Sequence, residues 1–182
     1  MASTGKLWWI TPLQCFAVLG AATNLGGSAL QSPLIMPMLQ IPNVAAQPAS
    51  AMTDYLLHNS EFFFPPLNAS CTLANIVMTV TAYLNRNTDN TAAAKLPYLA
   101  AATIGSISTT AWSLLIQVPI NKKIGVLAKK LEKDPQDAAA EKEFRELQEK
   151  WRKRNYGRAV TMISTAIVGI TGLVTDGSVL RL

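Results

Sequence analysis

Histidine, cysteine and charge are all scarce in this chain. Its 182 residues include one histidine and two cysteines, and 15% of its side chains are charged, against roughly 25% in an average soluble protein. One histidine and scattered carboxylates argue against a metal centre. Cys15 and Cys71 form no C-x-x-C pair, which removes thiol redox motifs and zinc sites of the finger or ribbon type.

The charge that exists is confined. Between Lys122 and Arg158 lie 12 of the 16 basic and 7 of the 11 acidic residues, so the net charge of +5 belongs to one segment. Acids interleave with the bases there, and the segment adjoins an apolar run, so nucleic acid is not an expected partner.

Four stretches carry no charge at all: Leu7 to Leu30, Phe62 to Leu84, Leu96 to Ile120, and Ala159 to Thr175. A helix of about 20 residues crosses the roughly 30 Å hydrocarbon core of a bilayer. Soluble helices would need polar faces, and these have none. The expected fold is therefore all-α: a four-helix transmembrane bundle in one domain, residues 1–182, with spans near 7–30, 62–84, 96–120 and 156–175. The first run continues through Asn24 to Leu30, longer than the apolar region of a secretory signal, so a retained helix is expected. The sequon Asn68-Ala69-Ser70 falls at membrane depth and reads as chance.

Four spans place the segments Gln31–Glu61 and Asn121–Arg158 on one side. The first holds no Lys or Arg and the second holds 12, while Lys6, Arg86, Lys95 and Arg181 collect opposite. The positive-inside rule makes the side with 12 basic residues cytoplasmic and both termini lumenal. The absence of a matrix-targeting pattern leaves the endoplasmic reticulum or the plasma membrane, and the first is the expected host.

The segments on the cytoplasmic side differ. Gln31–Asn59 is apolar and interrupted by Pro33, Pro37, Pro42 and Pro48. It is expected to lie across the bundle mouth, with a short helix from Ser50 to Asn59. In the second segment, Asp134-Pro135 supplies an N-cap and a first-turn proline. Pairs at i, i+4 (Glu141 with Arg145, Glu146 with Lys150, Glu149 with Lys153) predict a solvated helix near 135–155 running on into the fourth span. Ala102, Ser106 and Thr110 share one face of the third span, and Thr165, Gly169 and Gly172 one face of the fourth, as close packing in lipid requires.

One face of the last helix carries Phe144, Leu147, Trp151, Asn155, Arg158, Met162 and Thr165. It is apolar where water is near and polar where the helix enters lipid, the reverse of the usual arrangement. Arg158 alone could snorkel to the headgroups; with Asn155 and Trp151 beside it, a polar pocket is the stronger reading. Topology brings Tyr55, His58, Glu61 and Asn121 within reach. His58 beside Glu61 is a candidate base, against a structural histidine. Asn121, after Pro119 and Ile120, is either a helix C-cap or part of the site.

Asn121 after a Pro-Ile step, then a charged helix, then Trp151-x-x-x-Asn155-x-x-Arg158 leading into the fourth span, resembles the anthrone oxygenase family of small four-span membrane proteins. The resemblance implies oxidation of an anthrone-type polycyclic phenol to a quinone by molecular oxygen, with no metal, flavin or haem. It would make His58 the base with Glu61 orienting it. Arg158, Asn155 and Asn121 would hold the oxyanion, and Trp151 would stack on the ring system with Tyr55 near it. The partners implied are a hydrophobic aromatic small molecule and the lipid bilayer. A non-catalytic scaffold that gathers pathway enzymes on its basic helix is the second reading. A transporter is disfavoured because no acid lies within a span.

Overall fold

The structure, a computed structural model, describes residues 7–175, and among them it is helical apart from short turns, with no strand. The order is α1 (Ile10–Leu30), a π-helical turn (Gln31–Ile35), α2 (Met36–Leu39), α3 (Ala46–Asn85), α4 (Asn90–Trp112), a second π turn (Ser113–Gln117), α5 (Val118–Lys133) and α6 (Ala138–Val174). Joined end to end these give four helices long and apolar enough to cross a membrane: 10–39, 46–85, 90–133 and 138–174. The protein is an integral membrane protein of the four-helix, all-α class. Lys6 and Arg181, counted for topology, lie outside the described residues.

Several boundaries differ from those expected, each for a local reason. The proline-rich segment is mostly helical, because its prolines fall where the helix tolerates them. Pro48 is in the first turn of α3, where a missing N–H leaves nothing unpaired, and Pro37 comes just after the π-helical turn. Only residues 40–45 are irregular, and the helix foreseen at 50–59 is simply the beginning of α3. Asp134 does not start the charged helix. It closes α5, its N–H bonding to Lys130 O, and Asp137 caps α6 through Ala140 N at 2.9 Å. Lys130 and Asp137 then pair across the turn at 2.7 Å. Their mutual hydrogen bond raises the Lys130 pKa and lowers that of Asp137. Two of the expected helix pairs form, Glu141–Arg145 at 3.9 Å and Glu149–Lys153 at 3.4 Å.

The chain divides into two compact units, each drawing on all the long helices. Of the described residues, one comprises 7–24, 66–110 and 161–175. Its apolar centre is Ile10, Ala17, Ala74, Met78, Ala82, Ala92 and Leu99. Polar pairs tie α3 to α4 in antiparallel register: Asn68 Nδ2 donates to Thr110 Oγ1 (2.6 Å) and Asn75 Nδ2 to Ser106 Oγ (3.1 Å), and the Thr79 and Thr103 hydroxyls meet at 2.9 Å. Such bonds stand in for the hydrophobic drive that lipid does not supply. Asn68 is thus a packing residue, in keeping with its sequon being fortuitous. Lys95, expected in a loop, lies five residues into α4 and is buried, donating to Gln14 Oε1 (3.1 Å) and Leu173 O (3.2 Å). The helix begins early because Asp89 caps it, accepting from Thr91 N and Ala92 N.

The other unit comprises residues 25–65 and 111–160. Met36, Leu57, Ile120, Ile124, Leu131, Phe144 and Trp151 anchor its apolar centre. Arg145 secures the irregular segment, donating to Leu39 O (2.7 Å) and Val44 O (2.6 Å). Gly27 suits the close approach of α1 and α3 here: a Cβ would press on the outer edge of the Phe64 ring, which would have to shift.

Candidate functional site

All the residues singled out from the sequence fall in this second unit: Tyr55, His58 and Glu61 on α3, Asn121 on α5, and Trp151, Asn155 and Arg158 on α6. Since α6 is unbroken, steps of four and three do put the last three on one face.

Asn121 joins two of the others. Trp151 Nε1 donates to Asn121 Oδ1 (2.8 Å), and Asn121 Nδ2 donates to Glu61 Oε1 (3.0 Å). Asn121 is not a helix C-cap, because α5 runs on to Lys133. Trp151 is 2% exposed and packed in the apolar centre, so it is not an open stacking surface. The exposed aromatic area nearby belongs instead to Tyr55, Phe62 and Phe63 on α3.

Asn155 is wholly buried and its amide donors are both spent. Nδ2 donates to Ser28 O and to Ser32 Oγ, each at 2.7 Å, and Oδ1 accepts from Gln117 Nε2 at 2.9 Å. It is a tie between helices, with no N–H left over for an oxyanion. The Ser32 hydroxyl passes its own hydrogen to Arg152 O (3.3 Å). Gln117 and Ser32 were not singled out from the sequence. Their signal was an amide and a hydroxyl in apolar surroundings, where each must find a partner.

Both of these partners lie in π turns, closed by Met36 N–H to Gln31 O and Val118 N–H to Ser113 O. Each turn ends two residues before a proline, Pro37 and Pro119. A proline ring clashes with the carbonyl four residues back, and a widened turn relieves that contact. Proline alone does not suffice, since Pro65, Pro66 and Pro97 sit in ordinary α-helix. The first turn also contains Pro33, which has no N–H. Just before this turn, Asn155 also donates to Ser28 O.

Arg158 is the exception in this satisfied network. Its guanidinium makes no hydrogen bond and no ion pair with any described residue, and its Nε is buried. The side chain is half-buried. A guanidinium offers five N–H donors, and here none is used. Arg152, two turns earlier, shares a buried Nε but pairs with Glu149 at 2.9 Å.

His58 is exposed and meets the Phe62 ring edge-on, with centroids 5.1 Å apart. Glu61 does not orient it; the carboxylate reaches across to Asn121. The two side chains remain neighbours, three residues apart on α3. Among the described residues no three His, Cys, Asp or Glu side chains are grouped so as to hold a metal ion.

Residues 42–168 match the anthrone oxygenase family, a stretch that takes in every residue of the cluster except Ser28 and Ser32. The chain belongs to that family, which assigns it an oxygenase-type function at family level. No curated protein and no solved structure matches it.

Proposed function

We propose that this protein oxidises an anthrone-type polycyclic phenol to the corresponding quinone within the membrane, using molecular oxygen and no resident metal or organic cofactor. The observation that carries the reading is Arg158: a half-buried guanidinium with no partner is a demand for an anion. The conjugate base of an anthrone, an electron-rich aromatic enolate, is such an anion, and its flat apolar body suits a lipid-embedded site.

The chemistry balances without further reagents. A base takes a proton from the central methylene; His58 and Glu61, neighbours on α3, are the groups available. The enolate passes an electron to oxygen, the radical pair closes a C–O bond, and the peroxide anion regains the proton. Loss of water from the hydroperoxide breaks the O–O and C–H bonds and leaves the ketone. In sum, CH2 and O2 become C=O and H2O. Arg158 stabilises the negative charge as it moves from carbon framework to peroxide, an effect that strengthens where water is excluded. Asn121 keeps Glu61 in place. The segment with most Lys and Arg faces the cytoplasm in this reading, with the endoplasmic reticulum as the host membrane.

Oxygen uptake and quinone formation by membranes containing the protein, supplied with emodin anthrone, test this directly. Rates above the spontaneous reaction that disappear in Arg158→Ala are expected. Equal rates in both would refute the reading and leave Arg158 as a snorkelling anchor.

A further inference from the structure

Arg158 has nothing of its own to hold it, so its direction must be set by the helix that bears it. That helix is fixed from both sides over the preceding turn and a half. On one side Ser32 donates to Arg152 O, and Ser28 O and Ser32 Oγ accept from Asn155. On the other, Gln117 donates to Asn155 and Trp112 Nε1 donates to Arg154 O (3.1 Å). Gly157 closes the fit, since a Cβ there would overlap the Trp112 ring. The fixed stretch ends at the residue before Arg158.

We propose that Ser32 and Gln117 are positioning residues that act through Asn155 to aim the Arg158 guanidinium at its anionic ligand. This rests on the reading of Arg158 as the anion-holding group. Both residues lie in π turns. Each residue of an α-helix advances about 100°, and a π turn accommodates one extra residue. Side chains beyond it are turned by about that angle from where regular winding would put them. Gln117, last in its turn, and Ser32, near the start of the other, both reach Asn155. Two local departures from α-geometry converging on one amide, one helical turn from an unpartnered cation, are accounted for if the cation's orientation matters.

Binding of emodin, a planar phenol, to the full chain in lipid nanodiscs is measured by quenching of tryptophan fluorescence. Wild type should bind, and Arg158→Gln should bind much more weakly; equal binding by the two would remove the reading of Arg158 and this proposal with it. Given that difference, Ser32→Ala and Gln117→Leu should each weaken binding about tenfold when Arg158 is present. In the Arg158→Gln background they should cause no further loss, because they act only through that side chain. A role in stability alone would lower the melting temperature but leave affinity unchanged or reduce it equally in both backgrounds, and either result overturns the proposal while the reading of Arg158 stands. Should Gln117→Leu fail to fold, Ser32→Ala removes a single oxygen atom and carries the same comparison.

Discussion

The two units of this protein treat buried polar groups in opposite ways. In the unit holding 66–110, polar side chains pair singly across helices: Asn68 with Thr110, Asn75 with Ser106, Thr79 with Thr103. Even its buried cation, Lys95, has two acceptors. In the unit holding 25–65 and 111–160, polar groups are pooled around Asn121 and Asn155. That unit also contains all three buried side-chain atoms without a partner among the described residues, Gln148 Oε1, Arg152 Nε and Arg158 Nε. Satisfied polar groups in lipid are packing devices. An unsatisfied one persists at a free-energy cost and so points to a ligand. The difference supports the proposal that the site lies in this second unit.

That comparison can be broken or sharpened in a graded way. The largest effect is expected from Asn155→Leu, which removes three interhelical hydrogen bonds at once, those with Gln117, Ser28 and Ser32. Thermal unfolding in detergent should show a loss of about 3 kcal/mol, with quinone formation abolished. Lys95→Met, in the other unit, should remove about 2 kcal/mol by leaving Gln14 Oε1 and Leu173 O without a donor. Turnover per folded molecule should not change; a loss of turnover would erase the contrast between the units. Arg158→Leu should do the reverse, raising stability by about 1 kcal/mol as an unpaired cation leaves the interior while product formation falls to the spontaneous rate. Thr79→Val removes one interhelical bond and should lower stability by about 0.6 kcal/mol.

The smallest effect concerns pH. Because the Asp137 pKa is lowered on folding, its contribution is present above the ordinary aspartate range and is lost as pH falls through the lowered value. The raised Lys130 pKa has the opposite sense: its contribution is full below the ordinary lysine value and fades as pH rises through the raised one. Unfolding of Lys130→Met followed from neutral to acid pH should show a shallower slope than wild type.

Much of the last helix could be read directly. Trp151, Asn155 and Arg158 share a face because α6 is regular, and a regular helix is what a 3.6-residue count describes. The partners of Asn155 could not be read in this way. Ser32 and Gln117 sit in π turns, where the count fails by one residue, and nothing in the local sequence of Pro37 or Pro119 distinguishes them from Pro97, which produces no such turn. The third span was bounded at residue 120, where the uncharged run ends, and the helix goes on beyond it to Lys133. Its apolar face (Ile120, Ile124, Leu127, Leu131) buries against the second unit's core and carries the helix onward. His58 and Trp151 were assigned by residue type. Exposure in one case and burial in the other depend on which way each helix is rotated, and packing decides that.

Hydropathy and charge placement, then, determined on their own that this is a four-helix membrane protein with its charge gathered in one segment. Those properties follow from transfer of side chains between water and lipid, which needs no knowledge of neighbours. The tertiary structure decided which polar groups answer one another. It joined Asn121 to Trp151 and Glu61, and Asn155 to Ser28, Ser32 and Gln117, and it left Arg158 unanswered. Hydrogen bonds are short and directional, so their pairing depends on helix rotation and on single-residue insertions, which only the packed molecule fixes.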